Sequence, residues 1–200
     1  NRLLALTADG SVFSFGGEGW SKEGPSAALP PDTLPLEDSQ RASLLAMAGT
    51  ETDIRQVARH GTELAVASRA GLFLFQADAW HRALPRAGVV GWAPEDVRAV
   101  AYEADGTLWF AAPQGVGRRK PGGVWSLYTG AEGLPFNDFT CMAAGPKGVW
   151  FGTTNGALCF RDGEWTFRQG RRWLLDNHVR DIAVDAAGNA WVATQAGISC

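Results

Sequence analysis

The residues best suited to chemistry in this sequence sit in one short run: Arg171-Arg172-Trp173, then Asp176, Asn177 and His178. A guanidinium fork grips a carboxylate or phosphate through two parallel N–H bonds, and an indole stacks on apolar faces or cations. Together they suit a carboxylate, phosphate or sugar ligand. The run 169–178 aligns without gaps to 129–138, where small and acidic residues stand in place of Arg171, Arg172 and Trp173. Asn137 and Asp138 occupy the places of Asn177 and His178, so both join the candidate ligand-binding set, with turn capping as the competing role for Asn177. The competing reading of the whole run is a solvated basic loop with its Trp pinned on a neighbouring element.

Catalysis needs more than this. His178 becomes a general base or a metal ligand only beside a carboxylate, and Asp176 or Asp138 would have to supply it. That would make a lyase or hydrolase acting on a sugar-like or lactone-like substrate, and it is the alternative to pure binding. The sequence contains no His-x-His, His-Glu-x-x-His or Cys-x-x-Cys, no Gly-x-Ser-x-Gly elbow and no phosphate loop. No catalytic residue, metal ligand or cofactor is assigned, and the reading leans away from an enzyme. His60 and His81 fall at a turn and a loop edge, as surface histidines do. Thr153-Thr154-Asn155 and Thr194-Gln195-Ala196 either line the same mouth or satisfy turn backbone groups.

The elements that must hold these residues are repeats. Residues 148–156 recur at 107–115 and 189–197 and, degraded, at 63–71; the Trp position reads Ala65, Trp109, Trp150, Trp191 in steps of 44, 41 and 41. Gly71, Gly115, Gly156 and Gly197 close the four copies. A fixed period near 40 means a repeat architecture. Each copy reads as four short strands joined by turns such as Asp105-Gly106 and Asp162-Gly163. A second series, Trp20, Trp80, Trp125 and Trp165, belongs on the last strand of each sheet. One such sheet has two apolar faces and buries them only against neighbours, which is the form of a β-propeller blade. The fold class is therefore all-β, a propeller of four-stranded antiparallel blades. Trp109, Trp150 and Trp191 are expected at the seams between blades.

The organisation reads as an incomplete first blade (1–20), an insertion with a short helix (21–53), three blades (54–80, 97–128, 139–168) and an incomplete last blade (179–200). The insertion opens with Pro25, Pro30, Pro31 and Pro35. The two end pieces overlap in the strands they supply, so about five blades or part-blades of a larger ring, or an open arc, are expected. Turns after the second strand and crossings from fourth to next first strand fall at one end, which is where a partner would sit.

Composition limits the partners. A formal net charge of -3 offers no basic footprint for nucleic acid, and no apolar run spans a membrane. Cys141, Cys159 and Cys200 match no disulfide or zinc spacing and read as small apolar residues on strands. No leader opens the sequence, which starts inside one strand-like run and stops inside another, as an excerpt would.

Two stretches carry a family resemblance. Residues 139–165 and the Val-x-Asp-Ile-x-Val-Asp-x-x-Gly-Asn-x-Trp-x-x-Thr-x-x-Gly run at 179–197 resemble the two-component regulator propeller repeat. Gly133-Leu134-Pro135-Phe136-Asn137-Asp138 is similar to that family's inter-repeat segment. The resemblance implies the extracytoplasmic, periplasmic or secreted part of a sensor, often of a hybrid kinase that detects glycan fragments; a cytoplasmic place stays open. It also implies a glycan or other small-molecule ligand, or a protein partner, at the face carrying the crossings. Streptogramin lyase propellers have similar Gly-x-Leu-Trp-Phe repeats, but their catalytic pattern has no match here.

Overall fold

The computed structural model describes residues 3–6, 11–16, 19–23, 36–49 and 53–200. The turn read at 8–10 and the prolines Pro25, Pro30, Pro31 and Pro35 lie outside them. The chain folds as two units, 1–35 and 36–200. In the first, β1 (Leu3–Leu6), β2 (Val12–Phe15) and β3 (Trp20–Lys22) form a three-stranded antiparallel sheet. Phe15 and Trp20 are register partners across β2 and β3, with ring centroids 5.5 Å apart.

The second unit begins with helix α1 (Asp38–Ala48), opened by a Glu37–Gln40 capping box and closed by Gly49. Three four-stranded antiparallel sheets follow. They are β4 (Ile54–His60), β5 (Glu63–Ser68), β6 (Gly71–Gln76) and β7 (Ala79–Arg82); β10 (Ala99–Tyr102), β11 (Leu108–Ala112), β12 (Gly115–Arg119) and β13 (Trp125–Tyr128); and β14 (Phe139–Gly145), β15 (Gly148–Thr153), β16 (Gly156–Arg161) and β17 (Glu164–Arg168). A fifth sheet holds β18 (Val179–Val184), β19 (Ala190–Thr194) and β20 (Gly197–Ser199). Between the second and third sheets runs a small hairpin, β8 (Arg86–Ala87) and β9 (Val90–Gly91), which periodicity did not disclose. No helix among the described residues is long and apolar enough to cross a membrane.

Within this unit the sheets meet along their first strands: β4 packs on β10, β10 on β14, and β14 on β18. The recurring glycines open each third strand with φ between 125° and 141°. A Cβ at Gly115 would stand 2.2 Å from the Tyr128 carbonyl oxygen, and one at Gly156 2.5 Å from that of Arg168. Only glycine fits such a left-handed, backbone-crowded corner, so the motif is written by sterics.

Two of the recurring tryptophans, Trp109 and Trp150, pack at seams. Trp109, 1% exposed, reaches from β11 into the fourth sheet, its ring 5.9 Å from Phe151 and 5.1 Å from Phe160. Its indole N–H donates to Glu103 Oε1 at 2.6 Å. The fifth sheet repeats the device, Trp191 donating to Asp185 Oδ2 at 3.2 Å. Trp150 packs toward the fifth sheet with Val179, Ile182 and Val192. On the second sheet, α1 covers the face carrying Leu64, Val66, Phe73 and Trp80, with Leu44 fully buried beneath it. Trp80 Nε1 donates to the Gln40 carbonyl at 3.0 Å, fixing helix to sheet.

The seam between second and third sheets is built differently. Ala65 leaves the Trp volume empty, and Trp92, Tyr102, Phe110 and Trp125 from the third-sheet side close over it. A polar cluster joins them at its edge: Glu63 accepts from Tyr102, Gln76 and Arg119. Burial alone would raise the Glu63 carboxyl, but the Tyr102 and Gln76 hydrogen bonds and the Arg119 charge outweigh it and hold it below its usual value. Burial, then Glu63 itself, pushes the Tyr102 hydroxyl up.

Trp109→Ala should therefore destabilise the chain by about 3–5 kcal/mol, read as a fall in the urea midpoint. A drop no larger than that of a surface substitution would mean the seam does not depend on this ring. The Glu63 cluster predicts a pH effect. A depressed carboxyl contributes stability that is full above its unfolded pKa of about 4.3 and is lost as pH falls through the lower folded value. Chemical denaturation between neutral and acid pH should show part of that loss disappear in Glu63→Gln, and identical acid slopes in the two proteins would contradict the cluster.

Candidate functional site

Hydrogen bonds put the crossings and the turns after each second strand at one end of the stack. Asn137 Nδ2 donates to the Pro113 carbonyl at 2.9 Å, Thr154 N–H to the Asp138 carbonyl at 3.2 Å, and Gln169 Nε2 to Asn155 Oδ1 at 2.8 Å. In the later crossing, Leu175 N–H donates to Ser199 Oγ on β20 at 3.2 Å. Asn137 thus positions the earlier crossing on the preceding sheet, and its amide donor is used in doing so.

Each crossing is pinned by one leucine, Leu134 at 7% exposure and Leu174 at 3%, buried at successive seams. What precedes the pin differs. In the earlier crossing Gly130–Glu132 is a single 3-10 turn, capped by Thr129 and Glu132 in a capping box. The Glu132 carboxyl is held low by its bonds from Thr129. In the later crossing Arg172 stands in the place of Glu132 and cannot accept a hydrogen bond. Asn177 substitutes from the other side, its Oδ1 accepting the Gly170 N–H at 2.7 Å. The chain turns at Gly170, whose carbonyl accepts from Trp173 at 2.9 Å and Leu174 at 3.0 Å. This leaves Arg171 and Arg172 out of the turn's capping, and Arg172 lies over the Trp173 ring instead.

The structure does not place the candidate residues in one pocket. Arg171, Asp176, Asn177, Gln195 and Ala196 line a cleft of about 470 Å3 between the crossing and the β19–β20 turn. Trp173 turns into a separate hollow of about 260 Å3, shared with Arg168 and Trp150. Its ring, expected to stack on a ligand, already carries the Arg168 guanidinium at 4.4 Å and that of Arg172 at 5.4 Å. Cation–π attraction orders these three side chains and leaves the indole 47% exposed. Arg168 was missed by sequence reading because it does not depart from ordinary strand-end chemistry, whereas Gln195 and Ala196 belong to the turn that the sequence offered as a lining of the mouth.

The catalytic alternative finds little geometry. Asp176 Oδ1 accepts the His178 backbone N–H at 3.2 Å, an Asx-type turn contact that does not involve the imidazole. Thr153 and Thr194 turn their hydroxyls to the Gly156 and Gly197 carbonyls at 2.8 and 2.9 Å, so both serve the backbone. Burial, with Asp181 nearby, pushes the Cys141 thiol up to about 12, far from a thiolate nucleophile at neutral pH. Among the described residues, no group of three or more His, Cys, Asp or Glu is arranged to hold a metal ion.

Comparison with known proteins bears on this end of the molecule. Residues 174–196 match the two-component regulator propeller model. No curated protein sequence matches the chain significantly. Among solved structures, the chain is similar to the extracellular domain of the hybrid two-component system BT3049 from B. thetaiotaomicron, with TM-score 0.58 and 21% identity over 99% of this chain and 27% of that one. It is similar to PorZ of the Porphyromonas gingivalis type-IX secretion system, with TM-score 0.56 and 17% identity over 98% and 29%. Virginiamycin B lyase from Staphylococcus aureus, with TM-score 0.54 and 17% identity, covers 72% of this chain and 50% of its own. The chain thus spans about a quarter to a half of these neighbours, and the likeness establishes the fold. On that all-β propeller frame, the residues 174–177, 195 and 196 that wall the 470 Å3 cleft fall in the segment that matches the two-component regulator propeller model, and Gly170 and Arg171 precede it.

Proposed function

We propose that this propeller is a non-catalytic binding module, the sensory or scaffolding part of an extracytoplasmic protein, and that it takes an anionic glycan or similar small ligand at the crossing cleft. One observation carries the reading. The frame of the crossing is retained, with Leu174 standing for Leu134, while Ala131 and Glu132 become Arg171 and Arg172. A capping carboxylate has given way to two guanidinium groups, Arg171 in the wall of the cleft and Arg172 against the Trp173 ring beside it, and Asp176, Asn177 and Gln195 add polar walls. Guanidinium forks presented this way favour carboxylate or sulfate groups. The Arg168–Trp173–Arg172 stack adds a rigid cationic edge, and His178 and Asp138 flank the crossings at the same end. The extracytoplasmic setting is supported by the similarity to the extracellular domain of BT3049.

Calorimetric titration with acidic and neutral oligosaccharides tests the reading. The acidic series is expected to bind, and Arg171→Ala with Arg172→Ala to weaken it by about 10-fold or more, as loss of charged hydrogen bonds implies. A ligand whose affinity is indifferent to both substitutions would remove these residues from the site.

A further inference from the structure

A second cleft, of about 590 Å3, opens at the end of the stack opposite the crossings, between the third and fourth sheets. Glu103, Trp109 and Arg118 form one wall, and the turns at 146–148 and 161–163 form the other. Arg118 is the anomaly. It lies opposite Trp109 in the β11–β12 register, as Leu74 lies opposite Ala65 and Cys159 opposite Trp150. Those two are apolar and buried, 5% and 6% exposed, whereas the Arg118 side chain is 24% exposed, toward the cleft it lines. The repeat therefore assigns this position to a seam, and a guanidinium there meets a desolvation cost that demands partners.

The fold supplies few. The guanidinium lies 5.0 Å over the Trp109 ring. Its nearest carboxylate, Glu103 Oε1, stands 3.8 Å away and already accepts the Trp109 indole N–H. Arg118 Nε is buried with no hydrogen-bond partner. The adjacent Arg119, by contrast, is accounted for by Glu63. From the facing sheet, Arg161 lines the same cleft; its Nε donates to the Lys147 carbonyl at 2.5 Å, which leaves its terminal nitrogens for another acceptor. The lining charges are Arg118, Lys147 and Arg161 against Glu103 and Asp162.

We propose that this cleft is a second binding site, for a small oxyanion of the carboxylate or phosphate class, held between Arg118 on one sheet and Arg161 on the next. Bidentate acceptors would complete the hydrogen bonding of a cation that the protein leaves under-partnered, and would tie two sheets together across their seam.

The test is titration of the 200-residue chain with inorganic phosphate and with glucuronate, followed through indole N–H resonances. Either anion should shift the Trp109 signal, assigned with Trp109→Phe, and glucose should not. Which anion acts distinguishes phosphate from carboxylate ligands. Arg118→Met puts an apolar side chain where Leu74 and Cys159 stand; it should keep or raise the Tm and weaken the anion by about 10-fold or more. Arg161→Gln, at the exposed end of β16, should weaken it comparably with the Tm unchanged. The proposal is overturned by the absence of a Trp109 shift with both anions, or by unchanged affinity in Arg161→Gln. It is also overturned by binding that survives Arg118→Met but is lost in Arg171→Ala, which would assign the anion to the crossing cleft.

Discussion

A four-stranded antiparallel sheet of this composition has two apolar faces, and nothing within it can hide both. Every feature of the second unit follows from how that constraint is met. Between third and fourth sheets the answer is one large ring: Trp109 crosses the seam into Phe151 and Phe160, and its single polar atom is carried by Glu103 from the same sheet. Between second and third sheets the answer is distributed over Trp92, Tyr102, Phe110, Trp125 and the Glu63 cluster. At the face of the second sheet bearing Trp80, a helix takes the role, sealed by Leu44. Three different solutions to one burial problem show that the repeat conserves a volume to be filled more than a residue to fill it.

With burial settled by strands, the crossings carry only a light structural duty. Leu134 and Leu174 enter the seams, and one local cap holds each turn. Glu132 belongs to the cap of the earlier turn, and Arg172 can stand in its place because Asn177 caps the later turn instead. The two crossings differ most where the packing requirement is weakest, and the stiffness behind them comes from the seams.

Much of the fold was legible because its rules are periodic. Trp spacing marked the sheets, and the glycines that open third strands marked corners where a Cβ would strike a carbonyl. Non-periodic features were not legible. The β8–β9 hairpin has too few residues to show alternation. The repair of the Ala65 gap depends on side chains contributed from the far sheet, which no single repeat displays. In the crossing, Arg171 and Asp176 do share a cleft, but Trp173 faces elsewhere because Arg168, the last residue of β17, claims its ring. Arg118 stands as a charge at the position of Leu74 and Cys159, but its meaning depends on which seam the strand faces, and that is set by packing between sheets and not by periodicity within one.

Gln56 on β4 adds a further constraint. Its side-chain carbonyl accepts from the Val100 N–H of the third sheet at 3.2 Å, and its amide donates to the Met142 carbonyl of the fourth at 2.9 Å. A stack coupled only between adjacent units behaves as a chain of exchangeable beads, whose energy is a sum over neighbours. One side chain spanning three units breaks that exchangeability. Swapping or duplicating the middle bead would orphan a donor and an acceptor beside the inner strands, so the order of these repeats is written into the backbone geometry as well as into their surfaces.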